Sequence, residues 1–410
     1  MAMIGEAGKR GSQVRSDCWI RVEIGDGGGV RVDLTSKVAG MYGDRIRGQL
    51  AEGCRILGVA HAAVTVEDQG ALPHVLAARL EGAVRRAGVE PAAPYLPPPR
   101  ADANASTAPD RLRRSRLYLP GNEPKFHVNA GLHGPDGVIL DLEDSVAPAE
   151  KDAARLVVRN ALCAVDFRGA ERMVRINQGE RGLADLDWVV PHGCQLVLIP
   201  KAESPGDVQA VAARIAELRA AHGVSHEIVL MPIIESALGA WRAYEVATAS
   251  PEVVALAIGL EDYTADIGAQ RTDEGRESFW ARAQVLNGAR AAGIQPIDTV
   301  FSDVADMAGL RASCLEAKSL GFVGKGCIHP RQIAVVHEAF APDPDEIAKA
   351  TRIVAAFEDA EREGLGVVSL GSKMIDAPVV KRALATVALA VKVGRLAEDW
   401  RENAGTEAGA

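Results

Sequence analysis

The sequence predicts an α/β protein built on a (β/α)8 barrel, with a small α+β domain before the barrel and a helical region after it. Eight short apolar runs recur between residues 116 and 323, and stretches rich in Ala, Leu, Arg and Glu separate most of them. Buried parallel strands have such near-continuous apolar runs, and eight βα units close a barrel. An open doubly wound sheet is the alternative, but no GxGxxG pattern follows the first run.

The composition excludes several classes of protein. The 410 residues include 46 Lys and Arg against 55 Asp and Glu, a formal net charge of −9, and only 4% are aromatic. Nucleic-acid grooves need basic surfaces and stacking side chains, so we expect no nucleic-acid partner. No apolar run approaches the ~20 residues that cross a bilayer, and the N-terminus lacks the apolar core of a signal peptide. The 6 cysteines form no CxxC pair, so we expect a cytoplasmic protein with reduced thiols and no membrane partner.

Residues 1–90 have the pattern of a small α+β domain. Apolar and polar side chains alternate on both sides of a glycine-rich segment at 25–29, which predicts a β-hairpin. Apolar residues at helical spacing follow. The predicted elements are a hairpin of 18–23 and 30–34, a helix over 36–57, a strand over 62–66 and a helix over 72–84.

Residues 91–112 are predicted to be a linker. Pro and Ala dominate it, and between 91 and 110 only Tyr95 and Leu96 are bulky and apolar. We expect a stiff first half and a flexible second half that let the N-terminal domain move relative to the barrel. A passive spacer is the other interpretation. The barrel domain is then predicted at 113–340 and a C-terminal helical region at 341–410.

The residues that follow the barrel strands are the candidates for the active site, because the βα loops converge at that end of a barrel. The strands are predicted at 116–119, 137–140, 173–176, 196–199, 228–234, 253–258, 296–300 and 321–323. Their ends carry Asp141, Glu143, Asp144, Arg175, Asn177, Lys201, Glu203, Glu235, Glu261, Asp262, Asp298 or Asp303, Lys325 and His329. Such a ring of carboxylates with interspersed cations suits a hard metal cation and an anionic substrate.

Glu235 and Asp262 are the natural magnesium ligands of this ring. Mg²⁺ prefers oxygen donors and usually takes one or two protein carboxylates, with water and substrate oxygens in its other positions. The alternative is that each carboxylate caps the helix that follows it. Arg175 offers a two-pronged donor for a substrate carboxylate or an enolate oxygen, and its alternative is an ion pair with Glu143 or Asp144.

His329 and Cys327 attract attention, but the sequence assigns neither a catalytic role. A single histidine near the end of a barrel is more often a hydrogen-bonded structural residue. No pairing of Cys327 with a base follows from the sequence, so we do not expect a nucleophilic cysteine.

Several ordered motifs resemble the citrate lyase β-subunit / HpcH–HpaI aldolase family. They are RRSRLYLPGN (113–122), GVILDLEDSVAPAEK (137–151), VRIN (174–177), LIPKAES (198–204), PIIESALG (232–239), GLEDYTADIG (259–268), GKGCIHPRQ (324–332) and GSKMIDAP (371–378). The resemblance implies a Mg²⁺-dependent TIM-barrel lyase that cleaves citryl, malyl or citramalyl thioesters into an acyl thioester and a 2-oxo acid. It also implies a homotrimer or hexamer and an α-type partner subunit.

The resemblance assigns roles to individual residues. Glu235 and Asp262 look like the metal ligands, and Arg175 like the residue that holds the oxo-acid carboxylate. Glu143 and Asp144 resemble the carboxylates that orient Arg175 and the metal waters.

More distant residues also match the family. Asp376 in the C-terminal region resembles a lid aspartate that reaches a neighbouring subunit and handles the proton on the acyl carbon. Arg116, Tyr118 and Lys125 resemble the segment that contacts CoA or carrier phosphates.

Residues 32–87 resemble the citrate lyase acyl carrier protein, the γ-subunit. That relative bears a CoA-derived phosphoribosyl group on a serine. Here Arg15 stands at the position of that serine and Ser16 follows it, so Ser16 is the candidate attachment site. A degenerate domain kept for assembly is the alternative.

The sequence therefore predicts a lyase that acts on citryl-type thioesters held on a carrier or on CoA. A malyl-CoA or citramalyl-CoA lyase with a vestigial carrier domain is the first alternative. A non-catalytic subunit of a larger complex and a simple thioesterase are the others.

Overall fold

The computed structural model describes residues 3–362, 368–370 and 373–401, and the chain divides into two compact units, Met1–Ile333 and Ala334–Ala410. The first unit contains the N-terminal sheet and the barrel. The second contains the helices that follow the barrel.

The N-terminal domain is a four-stranded sheet with two helices. Its elements are β1 Met3–Gly8, β2 Cys18–Ile24, β3 Val30–Ser36, α1 Ala39–Ile56, β4 Ala62–Asp68 and α2 Pro73–Arg86. The strand order is β1-β2-β4-β3, with β3 parallel to β4 and the other neighbours antiparallel. The predicted hairpin is therefore wrong, because β4 lies between β2 and β3. Val64 and Val66 of β4 are each 1% exposed, whereas Val32 and Leu34 of β3 are partly buried, so the more deeply buried strand is central.

Part of the predicted linker at 91–112 is hydrogen-bonded to the barrel, and the expected movement of the N-terminal domain stays a prediction. The backbone N–H of Arg100 donates to the carbonyl of Cys163 at 3.0 Å. The Arg172 guanidinium donates to the carbonyl oxygens of Asp102 and Ala103 at 2.9 and 2.8 Å. These are long-range polar contacts, and the local composition of the segment carries no signal for them.

The closed parallel barrel confirms the predicted fold. Its strands are β5 Ser115–Pro120, β6 Gly137–Asp141, β7 Glu171–Arg175, β8 Leu196–Ile199, β9 Val229–Ile234, β10 Ala255–Ile258, β11 Gln295–Asp298 and β12 Gly324–Cys327. Each strand pairs with the next, and β12 pairs with β5 to close the barrel. Apolar side chains fill the interior, among them Met173, Leu198, Met231 and Ile297.

The eighth strand differs from its prediction at 321–323. Gly324–Cys327 contains two glycines and a lysine, so it has no apolar run to mark it. Lys325 is nevertheless fully buried, because its ammonium lies 2.7 Å from the Asp298 carboxylate on the neighbouring strand.

Helices connect the strands. They are α3 Pro124–His127, α4 Lys151–Ala164, α5 Gly179–Val189, α6 Pro205–His222, α7 Ala237–Trp241, α8 Ala243–Ala247, α9 Leu260–Asp266, α10 Arg276–Ala291, α11 Met307–Leu320 and α12 Arg331–Phe340. Short helices such as α9 begin directly at the mouth of the barrel, which places their first turns beside the strand ends.

The second unit contains α13 Pro344–Arg362, β13 Val368–Leu370, β14 Lys373–Ile375 and α14 Ala377–Lys392. Strands β13 and β14 pair antiparallel, and Val354, Val387 and Trp400 belong to the apolar core of this unit. Residues 371 and 372 of the GSKMIDAP motif and residues 402–410 of the predicted C-terminal region lie outside the described residues. Among the helices that the structure describes, none has the length and apolar character of a membrane span.

Candidate active site

A cavity of about 460 Å³ opens at the carboxyl ends of the barrel strands. Its lining includes Arg116, Tyr118, Asp141, Asp144, Arg175, Glu235, Glu261, Asp262 and Asp298. The structure thus brings residues from several strand ends together around one space, as expected for a barrel enzyme. The other predicted residues, Glu143, Asn177, Lys201, Glu203, Asp303, Lys325 and His329, lie outside this lining.

Arg175, the last residue of β7, is held by Asp141 at the end of β6 and by carboxylates of the loop that follows β6. Its Nε and Nη2 donate to the two oxygens of Asp141 at 2.7 and 2.8 Å, and Nη1 lies 2.9 Å from Glu143 and 3.9 Å from Asp144. The sequence suggested Glu143 or Asp144 as partners and missed the bidentate pair with Asp141. Burial acts to raise the pKa of Asp141, but the bonds from Arg175 outweigh it and hold that pKa below its usual value.

Glu143 lies behind Arg175 and away from solvent. Gln178 donates to its Oε1 at 2.9 Å, a contact that no sequence motif indicated. Burial raises the pKa of Glu143, and the Arg175 charge opposes that rise. Asp144 is different, since its side chain is 55% exposed.

Glu235, directly after β9, is buried at the wall of the cavity and is 6% exposed. The backbone N–H of Lys201 donates to its Oε2 at 3.0 Å. A Cβ on Gly259 would lie 2.4 Å from Glu235 Oε1, so a glycine at this position leaves room for the carboxylate. Burial raises the pKa of Glu235 to about 7.

Asp262 lies in the first turn of α9 and is linked to Glu235 through Lys201. The Lys201 ammonium is 3.2 Å from Asp262 Oδ1, while the backbone N–H of the same residue binds Glu235. Lys201 has a φ of 49°, a conformation that is uncommon for a residue with a side chain. This conformation lets a single residue contact both carboxylates.

The donor set fits a magnesium ion. Glu235 and Asp262 supply hard carboxylate oxygens at the edge of one cavity, and burial raises the pKa of Glu235 although the Lys201 backbone N–H and the Arg175 charge oppose that rise. Among the described residues, no group of three or more His, Cys, Asp or Glu side chains is placed to hold a metal. Two carboxylates beside a cavity with space for water and substrate oxygens are the donors that magnesium takes in proteins.

The three residues predicted to contact phosphates differ in their burial and in their partners. Arg116 is 1% exposed, and its Nη1 lies 3.0 Å from the sulfur of Met231 inside the barrel. The ring of Tyr118 lies 5.3 Å from the Arg175 guanidinium. Lys125 is 37% exposed in its side chain and pairs with Glu123 at 3.3 Å. Arg116 and Tyr118 line the cavity and Lys125 does not, and the phosphate contacts of all three stay a prediction.

The remaining candidates have structural surroundings. Burial raises the pKa of Cys327 to about 12, so its thiol is not activated. His329 Nδ1 accepts a hydrogen bond from the Arg331 backbone at 3.2 Å. In the second unit, the exposed Asp376 is the N-cap of α14 and accepts from the Val379 N–H at 3.2 Å.

Comparisons with known proteins match both domains. The HpcH/HpaI aldolase/citrate lyase family model matches residues 114–330, and the acyl carrier model described as malonate decarboxylase delta subunit matches residues 7–87. Citrate lyase subunit beta of Haemophilus influenzae is 42% identical over 276 residues, which cover 67% of this chain and 95% of that protein. The human mitochondrial citramalyl-CoA lyase is 35% identical over 296 residues, 68% of this chain and 86% of that protein.

A solved structure supports the same relationship. CitE from Mycobacterium tuberculosis, in complex with magnesium, acetoacetate and coenzyme A, is similar with a TM-score of 0.57 and 31% identity. The similarity covers 68% of this chain and 98% of that one.

Proposed function

Because the chain belongs to the HpcH/HpaI aldolase/citrate lyase family, we propose that it is a magnesium-dependent lyase acting on a citryl-type 3-hydroxyacyl thioester. The products are an acyl thioester and a 2-oxo acid. The observation that carries this proposal is the buried, under-neutralised Glu235 carboxylate, which shares one cavity with Asp262 and Arg175.

Glu235 and Asp262 would hold the metal ion. A bound Mg²⁺ supplies Lewis acidity, which lowers the pKa of a hydroxyl and stabilises negative charge on oxygen. Lys201 keeps Glu235 in place through its backbone N–H. The magnesium in the related M. tuberculosis complex agrees with this assignment.

Arg175 would bind the carboxylate of the 2-oxo acid part and stabilise the enolate. Asp141 accepts hydrogen bonds from two of its N–H groups, and Glu143 lies 2.9 Å from Nη1 as an ion pair. A guanidinium has five N–H donors, which leaves three, two on Nη1 and one on Nη2, for a substrate. Because the two carboxylates fix the plane of the guanidinium, these donors are oriented before the substrate arrives.

Asp376 would deliver the proton to the acyl carbon after the carbon–carbon bond breaks. Its carboxylate is exposed at the start of α14. We propose that it does so in the site of a neighbouring subunit, within a homotrimer or hexamer. Analytical ultracentrifugation of the purified chain tests the assembly, and a monomer would contradict it.

A citramalyl-CoA or malyl-CoA lyase is the second candidate. Arg15 at the expected serine position favours it, because a carrier domain without its prosthetic group would leave the enzyme to act on free CoA thioesters. The similarity to the human citramalyl-CoA lyase points the same way. Mass spectrometry of the natively expressed protein separates the two, since a loaded carrier shows a phosphoribosyl adduct on Ser16.

The direct test is to incubate the protein with Mg²⁺ and citryl-, malyl- or citramalyl-CoA, and to assay 2-oxo acids. We expect one of the three to be cleaved, and an Asp262→Ala variant with an unchanged circular dichroism spectrum to lose that activity. Undiminished cleavage by the variant would refute the metal assignment. Thioester loss without an oxo acid would indicate a thioesterase, and no reaction at all would favour a non-catalytic subunit that depends on an α-type partner.

A further inference from the structure

We propose that the N-terminal domain works while docked on its own barrel, as a fixed part of the active-site entrance rather than as a mobile carrier. In this arrangement the β1–β2 turn, residues 9–17, is presented to the barrel of the same chain. The proposal rests on the proposed lyase function, because it states where that lyase receives its thioester. Apolar packing, buried charges and the position of the turn support it.

The apolar part of the interface is a close contact between α2 and α4. A Cβ built on Gly82 would lie 3.5 Å from a methyl group of Leu156 and 4.0 Å from the Cβ of Ala153. Ala78 of α2 is 1% exposed and packs in one cluster with Leu156 and Val157. Small residues on both helices therefore let the two domains approach as closely as neighbouring elements of one core.

A buried ion pair crosses the same interface. The Arg159 guanidinium of α4 donates to both oxygens of Glu81 on α2 at 3.1 and 2.7 Å, and both side chains are at most 1% exposed. Asn160 donates to the carbonyl of His74 at 3.0 Å. Separating the domains would break these bonds, and such buried pairs are costly to disrupt once formed.

Tyr95, in the segment between the domains, completes this network. Its backbone N–H donates to Glu81 Oε2 at 2.9 Å and its hydroxyl donates to the carbonyl of Gln49 at 2.9 Å. The segment between the domains is therefore bonded to the N-terminal domain and does not act as a flexible tether.

The β1–β2 turn lies beside the loop that follows β5. Arg79, 1% exposed, donates to both oxygens of Asp17 at 2.9 and 2.7 Å and to the carbonyl of Asn122 at 3.0 Å. Lys9, at the other end of the turn, forms an ion pair with Glu123. Asn122 and Glu123 lie two and three positions after Pro120, which lines the active-site cavity.

Ser16 is held on this turn, next to Asp17. Its φ is 53°, and its backbone N–H donates to the carbonyl of Gln69 at 3.2 Å. A group attached to Ser16, or a thioester bound along the turn, would begin beside the entrance of the same chain's cavity. Delivery within one chain follows from that position.

A reversible cross-link tests the proposal in the full-length protein. Disulfides form readily when the Cβ atoms are about 3.5–4.5 Å apart, and the Gly82 and Ala153 positions give 4.0 Å. We expect a Gly82→Cys/Ala153→Cys variant to form the disulfide quantitatively under mild oxidation. The described cysteines of the native chain are buried, so they should not compete. The Gly82→Cys and Ala153→Cys single variants show whether either substitution alone changes folding or turnover.

The locked protein should cleave the thioester accepted by the wild type within about twofold of the reduced protein. A locked enzyme that loses activity and regains it on reduction would overturn the proposal, because it would show that the domain must move. Failure of the disulfide to form would overturn it as well. If the wild type cleaves no thioester, the lyase proposal fails on its own, whereas the cross-linking yield still decides whether the domain is docked.

Discussion

Buried carboxylates occur at the interface between the N-terminal domain and the barrel and again at the barrel mouth, but their partners differ. At the interface, the Glu81 carboxylate accepts hydrogen bonds from both terminal nitrogens of Arg159. Burial acts to raise its pKa, yet the arginine bonds hold that pKa below its usual value. At the mouth, burial raises the pKa of Glu235 to about 7, because a single backbone N–H from Lys201 is the hydrogen bond that the described residues give it.

The difference shows how one residue type serves two purposes. A carboxylate whose charge is satisfied inside the protein stabilises the docking of two domains. We propose that a carboxylate that faces a cavity without sufficient neutralisation instead binds a cation. Burial alone therefore does not identify a functional carboxylate, whereas burial beside a cavity with incomplete pairing makes the carboxylate a candidate.

Replacing Glu235 with Gln should have the largest effect at the mouth. We expect turnover to fall by about 10³-fold or more, because a ligand of the metal is lost. Stability at pH 8 should not decrease, since the variant no longer buries an under-neutralised charge. Steady-state kinetics and chemical denaturation measure the two effects. Glu217→Gln is the control, because Glu217 lies outside the cavity lining, is 67% exposed and pairs with Arg214; equal losses in both variants would contradict the assignment.

Replacing Glu81 with Gln should show the opposite pattern at the interface. Breaking one partner of a buried ion pair costs about 3–5 kcal/mol of stability, so we expect a large loss in urea denaturation. Turnover per folded molecule should remain near that of the wild type. The exposed Glu90, 85% accessible and paired with Arg85, provides the matched control, and Glu90→Gln should change stability by less than about 1 kcal/mol. Similar losses for both variants would remove the distinction.

Acid should destabilise the protein in part through two buried histidines, His74 of α2 and His127 of α3. Burial lowers the pKa of both His74 and His127 to about 4, and His127 faces the Arg79 and Glu123 charges. The unfolded chain binds protons near pH 6.5, so the stability from each neutral histidine is present above that pH and is lost as the pH falls towards 4. Each contributes a loss of about 2 kcal/mol between pH 6.5 and 5. Denaturation of the wild type and a His74→Gln/His127→Gln variant at pH 7.5 and 5 measures this; parallel losses in both would exclude the histidines.

Much of the barrel was predictable because local sequence patterns mark most of its strands. Seven strands were marked by apolar runs, and acidic or cationic residues followed them at the end where loops converge. The eighth strand was predicted at the wrong residues because the buried Lys325 depends on partners far away in the chain, Asp298 and the carbonyl of Thr299, 27 and 26 positions earlier.

The docking of the N-terminal domain could not be predicted either, because it also depends on contacts between residues that are far apart in the chain. Glu81 and Arg159 have the charge and spacing of solvent-facing helix residues, and their pairing spans 78 positions. The sequence pattern did not single out Gly259 either, because this glycine matters through the space that it leaves for the Glu235 carboxylate. Sequence periodicity reports which face of an element is apolar, but not which distant charge will neutralise a buried one.

Calorimetric titration of Mg²⁺ into the wild type and into Glu235→Gln and Asp262→Asn variants tests the central claim most directly. The account predicts one site in the wild type and at least about tenfold weaker binding in each variant. Equal affinity in all three proteins would contradict it.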